Sequence, residues 1–281
     1  MINNNGHLIS SAEATVSVSN RGLAYGDAIF ETIKTLNGKI LFWEDHYFRL
    51  MASMRILRME IPMAFTPEFL ESQILELLNH NKSNSNSFRV KLTVFRKQGG
   101  FYTPDTNDIE YFITAESLDT DLYLLNSSGC TIELFKDFYV TPGLLSTLKT
   151  NNKVLNVLGS VYAKENQYDN CLLLNTNKSI VEALNGNLFL VKDNVIKTPP
   201  LTDGCLKGVM RKQVIEILKK LPDFEYVEES ISPFELQKAD ELFITNVIQG
   251  IHPITVFRKK SYNTTISQSI LAKLNMSVRL T

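Results

Sequence analysis

Four places in this chain hold groups suited to gripping and transforming a small anionic molecule. "LKTNNKVLN" (148–156) carries Lys149, an amine just ahead of a segment that reads as a helix. "VEALNGNLF" (181–189) carries a carboxylate, Glu182. "KGVMR" (207–211) reads as a helix start at Gly208, Val209 and Met210. Unpaired backbone N–H groups and the positive end of the helix dipole make such a start an anion seat, and glycine lets the backbone come close. "EDHYFRL" (44–50) carries Arg49, whose planar guanidinium is suited to paired, charge-assisted bonds to an anion. Read singly, each has a plain structural role: a surface lysine, a solvated strand-end glutamate, an ordinary helix and a solvated helix arginine. Only their fixed order along one chain argues for more.

The elements that must position them are legible in part. "AIFETIKTLNGKILFW" (28–43) reads as two strands around an Asn37-Gly38 turn, the strongest short hairpin signal. "TPEFLESQILELL" (66–78) offers Thr66 as N-cap, Pro67 at the first helical position and Phe69, Leu70, Ile74 and Leu77 along one side. The polar run at 79–87 reads as a surface loop before the alternating strand "FRVKLTVF" (88–95). After "IEYFITAESL" (109–118) the pattern changes, which puts a domain boundary there: 1–118 a small N-terminal α/β domain, 119–281 a larger C-terminal domain. The second part has short strands and at least two helices. One spans 207–221 and stops at Pro222; the other starts at "SPFELQKA", where Ser232 and Glu235 form a capping box.

Composition narrows the function. Twenty-nine Lys plus Arg against thirty Asp plus Glu, with 44% apolar residues, describes a soluble globular chain with no basic field for nucleic acid or an anionic membrane. The N-terminus lacks a signal-peptide pattern and no apolar run reaches a membrane span, so a cytoplasmic protein is expected. Cys130, Cys171 and Cys205 are far apart, and His7, His46, His80 and His252 have no ligand spacing, so no metal is expected. "KQGGFYTP" (97–104) has paired glycines but not the G-x-x-x-x-G-K-S/T arrangement, and reads as a mobile loop.

Taken together, "NRGLAYGDAIFET", "EDHYFRL", "LKTNNKVLN", "VEALNGNLF…KGVMR" and "ADELFITNVIQGIHPI" resemble the class IV aminotransferases over nearly the whole chain. These are fold-type IV pyridoxal-phosphate enzymes that include branched-chain aminotransferase, D-amino-acid aminotransferase and aminodeoxychorismate lyase. The resemblance implies a two-domain α/β fold with a small mixed N-terminal domain, a larger barrel-like C-terminal domain and pyridoxal 5'-phosphate held between them. It also implies a homodimer acting on a small amino substrate. By the same resemblance Lys149 carries the cofactor and acts as the base, and Glu182 faces the ring nitrogen, where a carboxylate favours the protonated ring. Arg49, Gly208, Val209, Met210, Asn246 and Val247 surround the phosphate.

The branch is less uniform. Tyr25 and Phe30 match positions lining the substrate pocket, and Arg96 matches an arginine near the lyase site, a candidate for holding a substrate carboxylate. Asn246 followed by Val247, without the aminotransferase threonine, resembles the lyase, which releases pyruvate from 4-amino-4-deoxychorismate to give 4-aminobenzoate. Phe30 stands where D-amino-acid aminotransferases have a tyrosine. Glu31 resembles the aminotransferases, where the lyase has a threonine. The balance favours the lyase, with a branched-chain or other amino-acid aminotransferase using 2-oxoglutarate as the alternative and a catalytically silent binding protein third.

Overall fold

The computed structural model describes residues 1–81, 85–125 and 128–280. Residues 82–84 of the polar run expected as a surface loop, and 126–127 just past the expected boundary, lie outside them. The chain divides into two compact units, Met1–Asp121 with Lys149–Asn152, and Leu122–Leu148 with Lys153–Thr281. Among the described residues no helix is long and apolar enough to cross a membrane.

The first unit contains β1 (Ile2–Asn4), β2 (His7–Ile9), α1 (Arg21–Tyr25), β3 (Ala28–Leu36), β4 (Lys39–Ile40), α2 (Trp43–Ile56), α3 (Pro67–His80), β5 (Ser87–Arg96) and β6 (Ile109–Ser117). Its sheet runs β2-β1-β6-β5-β3-β4, with every pairing antiparallel. Asn37 and Gly38 both take positive φ, the geometry that a two-residue turn between twisted strands requires. Side chains alternate across a strand, so Ile29 and Ile33 of β3 and Val90, Leu92 and Val94 of β5 face one side. There they meet Leu50 and Met54 of α2 and Leu70, Ile74 and Leu77 of α3, all buried. Thr66 caps α3 by accepting the Phe69 N–H at 3.2 Å. Glu31 lies between Ile29 and Ile33 on this core face, where the pattern calls for an apolar residue.

The second unit contains β7 (Thr131–Val140), α4 (Val154–Glu165), β8 (Asn170–Asn175), β9 (Ile180–Ala183), β10 (Asn187–Lys192), β11 (Val195–Thr198), α5 (Val209–Leu218), β12 (Glu225–Glu228), α6 (Pro233–Leu236), β13 (Glu241–Asn246), β14 (Gly250–Ile254), β15 (Val256–Phe257), β16 (Lys260–Ser261) and α7 (Thr265–Leu280). Two five-stranded sheets, ordered β12-β11-β10-β13-β14 and β16-β15-β7-β8-β9, enclose one apolar core in a barrel-like arrangement. That core joins Ile132, Leu172 and Ile180 of one sheet to Leu188, Leu242 and Ile254 of the other. Parallel neighbours cannot be joined by a tight turn. The parallel pairs β7–β8 and β11–β12 therefore each need a long crossover. Lys149 lies in the first crossover and the Gly208 helix start in the second. The capping box forms as expected, with Ser232 N–H donating to Glu235 Oε1 at 2.8 Å, but α6 is a single turn.

Candidate active site

The segment Lys149–Asn152 is held against β3. Lys149 C=O accepts the Phe30 N–H at 2.9 Å, and the Asn151 N–H donates to Ala28 C=O at 3.0 Å. Asn152 packs on Gly26, whose φ of 65° and contact leave no room for a side chain: a Cβ there would sit 2.3 Å from Asn152 Oδ1. Thus "YGDAIF" and "KTNN", distant in sequence, fix one another. The half-buried Lys149 amine lies 4.4 Å from the Phe30 ring centroid, and Lys91 Nζ lies 4.9 Å from it. The ring face attracts an ammonium, so Phe30 is a platform for the amine. Tyr25, at the end of α1, is exposed and packs near Tyr102 with centroids 5.8 Å apart.

On the other side of β3, α2 presents His46 and Arg49, three positions apart on one helix face, to Glu31. Arg49 Nε donates to Glu31 Oε1 at 2.8 Å and Nη2 donates to Oε2. His46 Nδ1 lies 2.7 Å from the same Oε2. Burial pushes the Glu31 carboxyl up, but the Arg49 charge and the bonds from His46 and Arg49 outweigh it and hold it at about 2. Burial pushes the His46 pKa down, with Glu31 opposing, and toward an ionised carboxylate Nδ1 acts as the donor. The sequence marks Glu31 only as a residue that separates the branches and His46 only as a histidine without ligand spacing; their pairing with Arg49 is signalled by nothing more than an acidic residue in an apolar alternation.

Arg96 has a structural task. It donates to Asp27 Oδ2 at 2.9 Å, Asn107 Oδ1 at 2.6 Å, and the Leu57 and Arg58 carbonyls at 2.6 and 3.1 Å. Those four bonds tie β5 to the end of α2, and they engage the guanidinium expected to hold a substrate carboxylate. Asp27 also accepts from Arg21 Nε at 2.9 Å, and Arg21 Nη1 donates to the carbonyls of Gly99 and Phe101. The 97–104 segment, expected to be mobile, is therefore anchored through its backbone, while Phe101 and Tyr102 stay exposed.

In the second unit Asn187 links the carboxylate to the helix start. Glu182 Oε2 accepts the Leu206 N–H at 3.0 Å and Asn187 Nδ2 at 3.4 Å, while Asn187 Nδ2 also donates to Leu206 C=O at 2.9 Å. Two residues on, Gly208 is the N-cap of α5 with no side-chain hydrogen bond to its first turn, and Val209 and Met210 are buried. A helix start with no capping side chain among the described residues leaves its first N–H groups open to another acceptor, and an anion can be that acceptor. At the β13–β14 turn Asn246 Oδ1 accepts the N–H groups of Ile248 and Gln249 at 3.1 and 2.9 Å, and its Nδ2 donates to Gln249 Oε1. The Asn246 amide is thus bound into its own turn, leaving Val247 as the turn residue whose N–H it does not take. Tyr123, missed from sequence, donates to Val247 C=O at 3.0 Å.

Residues 28–257 match the family model described as amino-transferase class IV. The chain belongs to the class IV aminotransferases. Class IV aminotransferases use pyridoxal phosphate, and this one is an enzyme of that kind. It is 32% identical over 253 residues to a Methanocaldococcus jannaschii protein provisionally named branched-chain-amino-acid aminotransferase, covering 89% of this chain and 85% of that one. It is 27% identical to D-alanine aminotransferase of Listeria monocytogenes over 255 residues, with the same coverage. A solved structure from Legionella pneumophila, provisionally named 4-amino-4-deoxychorismate lyase, superposes with a TM-score of 0.84 at 20% identity, over 95% of this chain and 96% of that one. At that identity the likeness carries the fold. Taken unit by unit, the residues present fit the cofactor's chemistry: the first unit has the Lys149 amine, and the second has a carboxylate held by two donors and a helix start without a capping side chain among the described residues. Among the described residues no group of His, Cys, Asp or Glu is arranged to hold a metal.

Proposed function

We propose that this class IV aminotransferase moves an amino group from an amino acid, of the branched-chain or a related class, to 2-oxoglutarate. The observation that carries this reading is the Glu31–Arg49–His46 cluster. A threonine at position 31, as in the lyase branch, has no carboxylate to accept from both partners. Pyridoxal phosphate, when bound, supplies an aldehyde that condenses with amines and a ring that withdraws electrons. The Lys149 amine, beside the Phe30 ring, would hold the cofactor and would move the proton at the substrate carbon. Glu182, kept in place by Leu206 and Asn187, would favour a protonated cofactor ring by its opposite charge. Arg49, the N–H groups of Val209 and Met210 after Gly208, and the Asn246–Val247 turn would hold the phosphate. Lyase chemistry is the second reading, favoured by Asn246-Val247 in place of a threonine.

The deciding experiment gives the purified holoenzyme leucine with 2-oxoglutarate, and separately aminodeoxychorismate. Glutamate formation without pyruvate release is expected; pyruvate release without amino transfer overturns the reading in favour of the lyase. The homodimer belongs to the same proposal. α4 exposes Val154, Val157, Leu158 and Val161 at helical spacing, an apolar stripe for a second copy to cover. A monomer in sedimentation at micromolar concentration removes that part. A cytoplasmic setting accords with three buried, unpaired cysteines, Cys130, Cys171 and Cys205.

A further inference from the structure

The Glu31 carboxylate is an expensive group to place on the core face between Ile29 and Ile33, and removing an apolar contact there gains nothing for packing. Its geometry explains it. Two oxygens take the Nε and Nη2 edge of Arg49, which fixes the plane of the guanidinium and turns Nη1 away from the carboxylate. His46 then fixes Glu31 through Nδ1, while its buried Nε2 meets no hydrogen-bond partner among the described residues. A buried ring with an unmet nitrogen carries a cost that its packing alone does not repay, so the bond it gives Glu31 is the reason for an imidazole at this position.

We propose that Glu31 and His46 are positioning residues that hold the Arg49 guanidinium in one orientation for the cofactor phosphate, an inference that rests on the reading of Arg49 given above. Neither residue touches the reacting atoms. Their effect is confined to the phosphate, so it separates from any general weakening of the unit.

The test compares equilibrium binding of pyridoxal phosphate with that of pyridoxal, which lacks the phosphate, followed by absorbance and by fluorescence quenching. Glu31→Asp keeps the charge but withdraws it by one methylene, so it cannot reach both nitrogens. Its preference for the phosphorylated form should fall about tenfold, as expected for losing one charge-assisted bond. His46→Ala should lose a few-fold, and His46→Asn, which can keep a donor toward Glu31, should restore most of it. If Arg49→Ala removes the preference while Glu31→Asp and His46→Ala keep it, this inference is overturned and the Arg49 assignment stands. If Arg49→Ala keeps the preference, the Arg49 assignment itself falls. Equal losses for pyridoxal and pyridoxal phosphate also overturn the inference. Should the core variants not fold, the wild-type protein decides: on titration with inorganic phosphate, the Arg49 Nε–H resonance, identified by its loss in Arg49→Lys, stays in place while the Nη signals move. An Nε–H that moves with phosphate overturns the proposal.

Discussion

Gly208→Ala is a demanding test of how the second unit builds its helix start. The Gly208 backbone, at φ −70° and ψ 136°, suits any residue, so strain in the backbone is not the issue. The issue is space: a Cβ would stand 2.0 Å from Asn187 Oδ1 and 3.3 Å from Arg211 Cβ. Asn187 has to move by more than an ångström, and its bonds to Leu206 C=O and Glu182 do not survive that shift. Overpacking of this kind costs about 1–3 kcal/mol and a lost buried hydrogen bond about 1 more, giving roughly 2–4 kcal/mol. At about 2–4 °C per kcal/mol for a unit of this size, the thermal midpoint should drop by roughly 5–15 °C. The assay is a thermal melt of Gly208→Ala, Asn187→Ala and the double variant. Removing the Asn187 amide relieves the clash, so the double variant should be no less stable than Asn187→Ala alone. A wild-type midpoint for Gly208→Ala, or strictly additive losses, refutes the account.

Three further outcomes follow from the site. Lys149→Ala should leave no cofactor attached after borohydride reduction, and mass spectrometry of the wild type should find the label on the peptide containing Lys149; a label retained by the variant refutes its role. Glu182→Gln keeps the amide able to accept from Leu206 but loses the charge, so cofactor binding should persist while turnover falls by about tenfold to a hundredfold; unchanged turnover rules the residue out. The depressed Glu31 carboxyl contributes stability that is fully present above its ordinary value of 4.5 and is lost as pH falls toward about 2. The shift corresponds to roughly 3 kcal/mol, so the wild type should lose that much more stability than Glu31→Gln between pH 5 and 2 in urea titrations, and equal losses contradict it.

Signals with a local cause were legible in the sequence. The Asn37-Gly38 turn, the Thr66 cap of α3 and the Ser232–Glu235 box each rest on neighbouring residues, and each appears. α5 ends at Leu218, before the expected Leu221, because the N–H groups of Lys220 and Leu221 reach only three residues back, tightening the chain ahead of Pro222. α7 went unread although Ile270, Leu271, Leu274 and Val278 follow helical spacing. What depends on distant residues was not legible. The motif marks Gly208 as a close-approach position, but that a side chain there would meet Asn187 is visible only in the folded chain. The motif offers Arg96 as a candidate for a substrate carboxylate, while its bonds to Asp27, Asn107 and two carbonyls at the end of α2 come from distant residues that no motif records. His46 and Glu31 acquire meaning from a contact between a strand and a helix, which no spacing records.

The four residues Lys149–Asn152 belong to the first unit although the chain on both sides of them belongs to the second. Their bonds to β3 close a loop of about 120 residues between Phe30 and Lys149. Closing so long a loop adds little cost over a shorter one, because the entropy grows only with the logarithm of length, but it has to wait until the intervening chain exists. During synthesis the first unit therefore emerges with the Phe30 N–H and the Ala28 carbonyl lacking their final partners. The stretch that closes this edge is made only past the midpoint of the chain, from a segment flanked on both sides by the other unit. A nascent chain ending before Lys149 therefore carries β3 with one end of its edge still open to water, and the first unit is completed only while the second is being made.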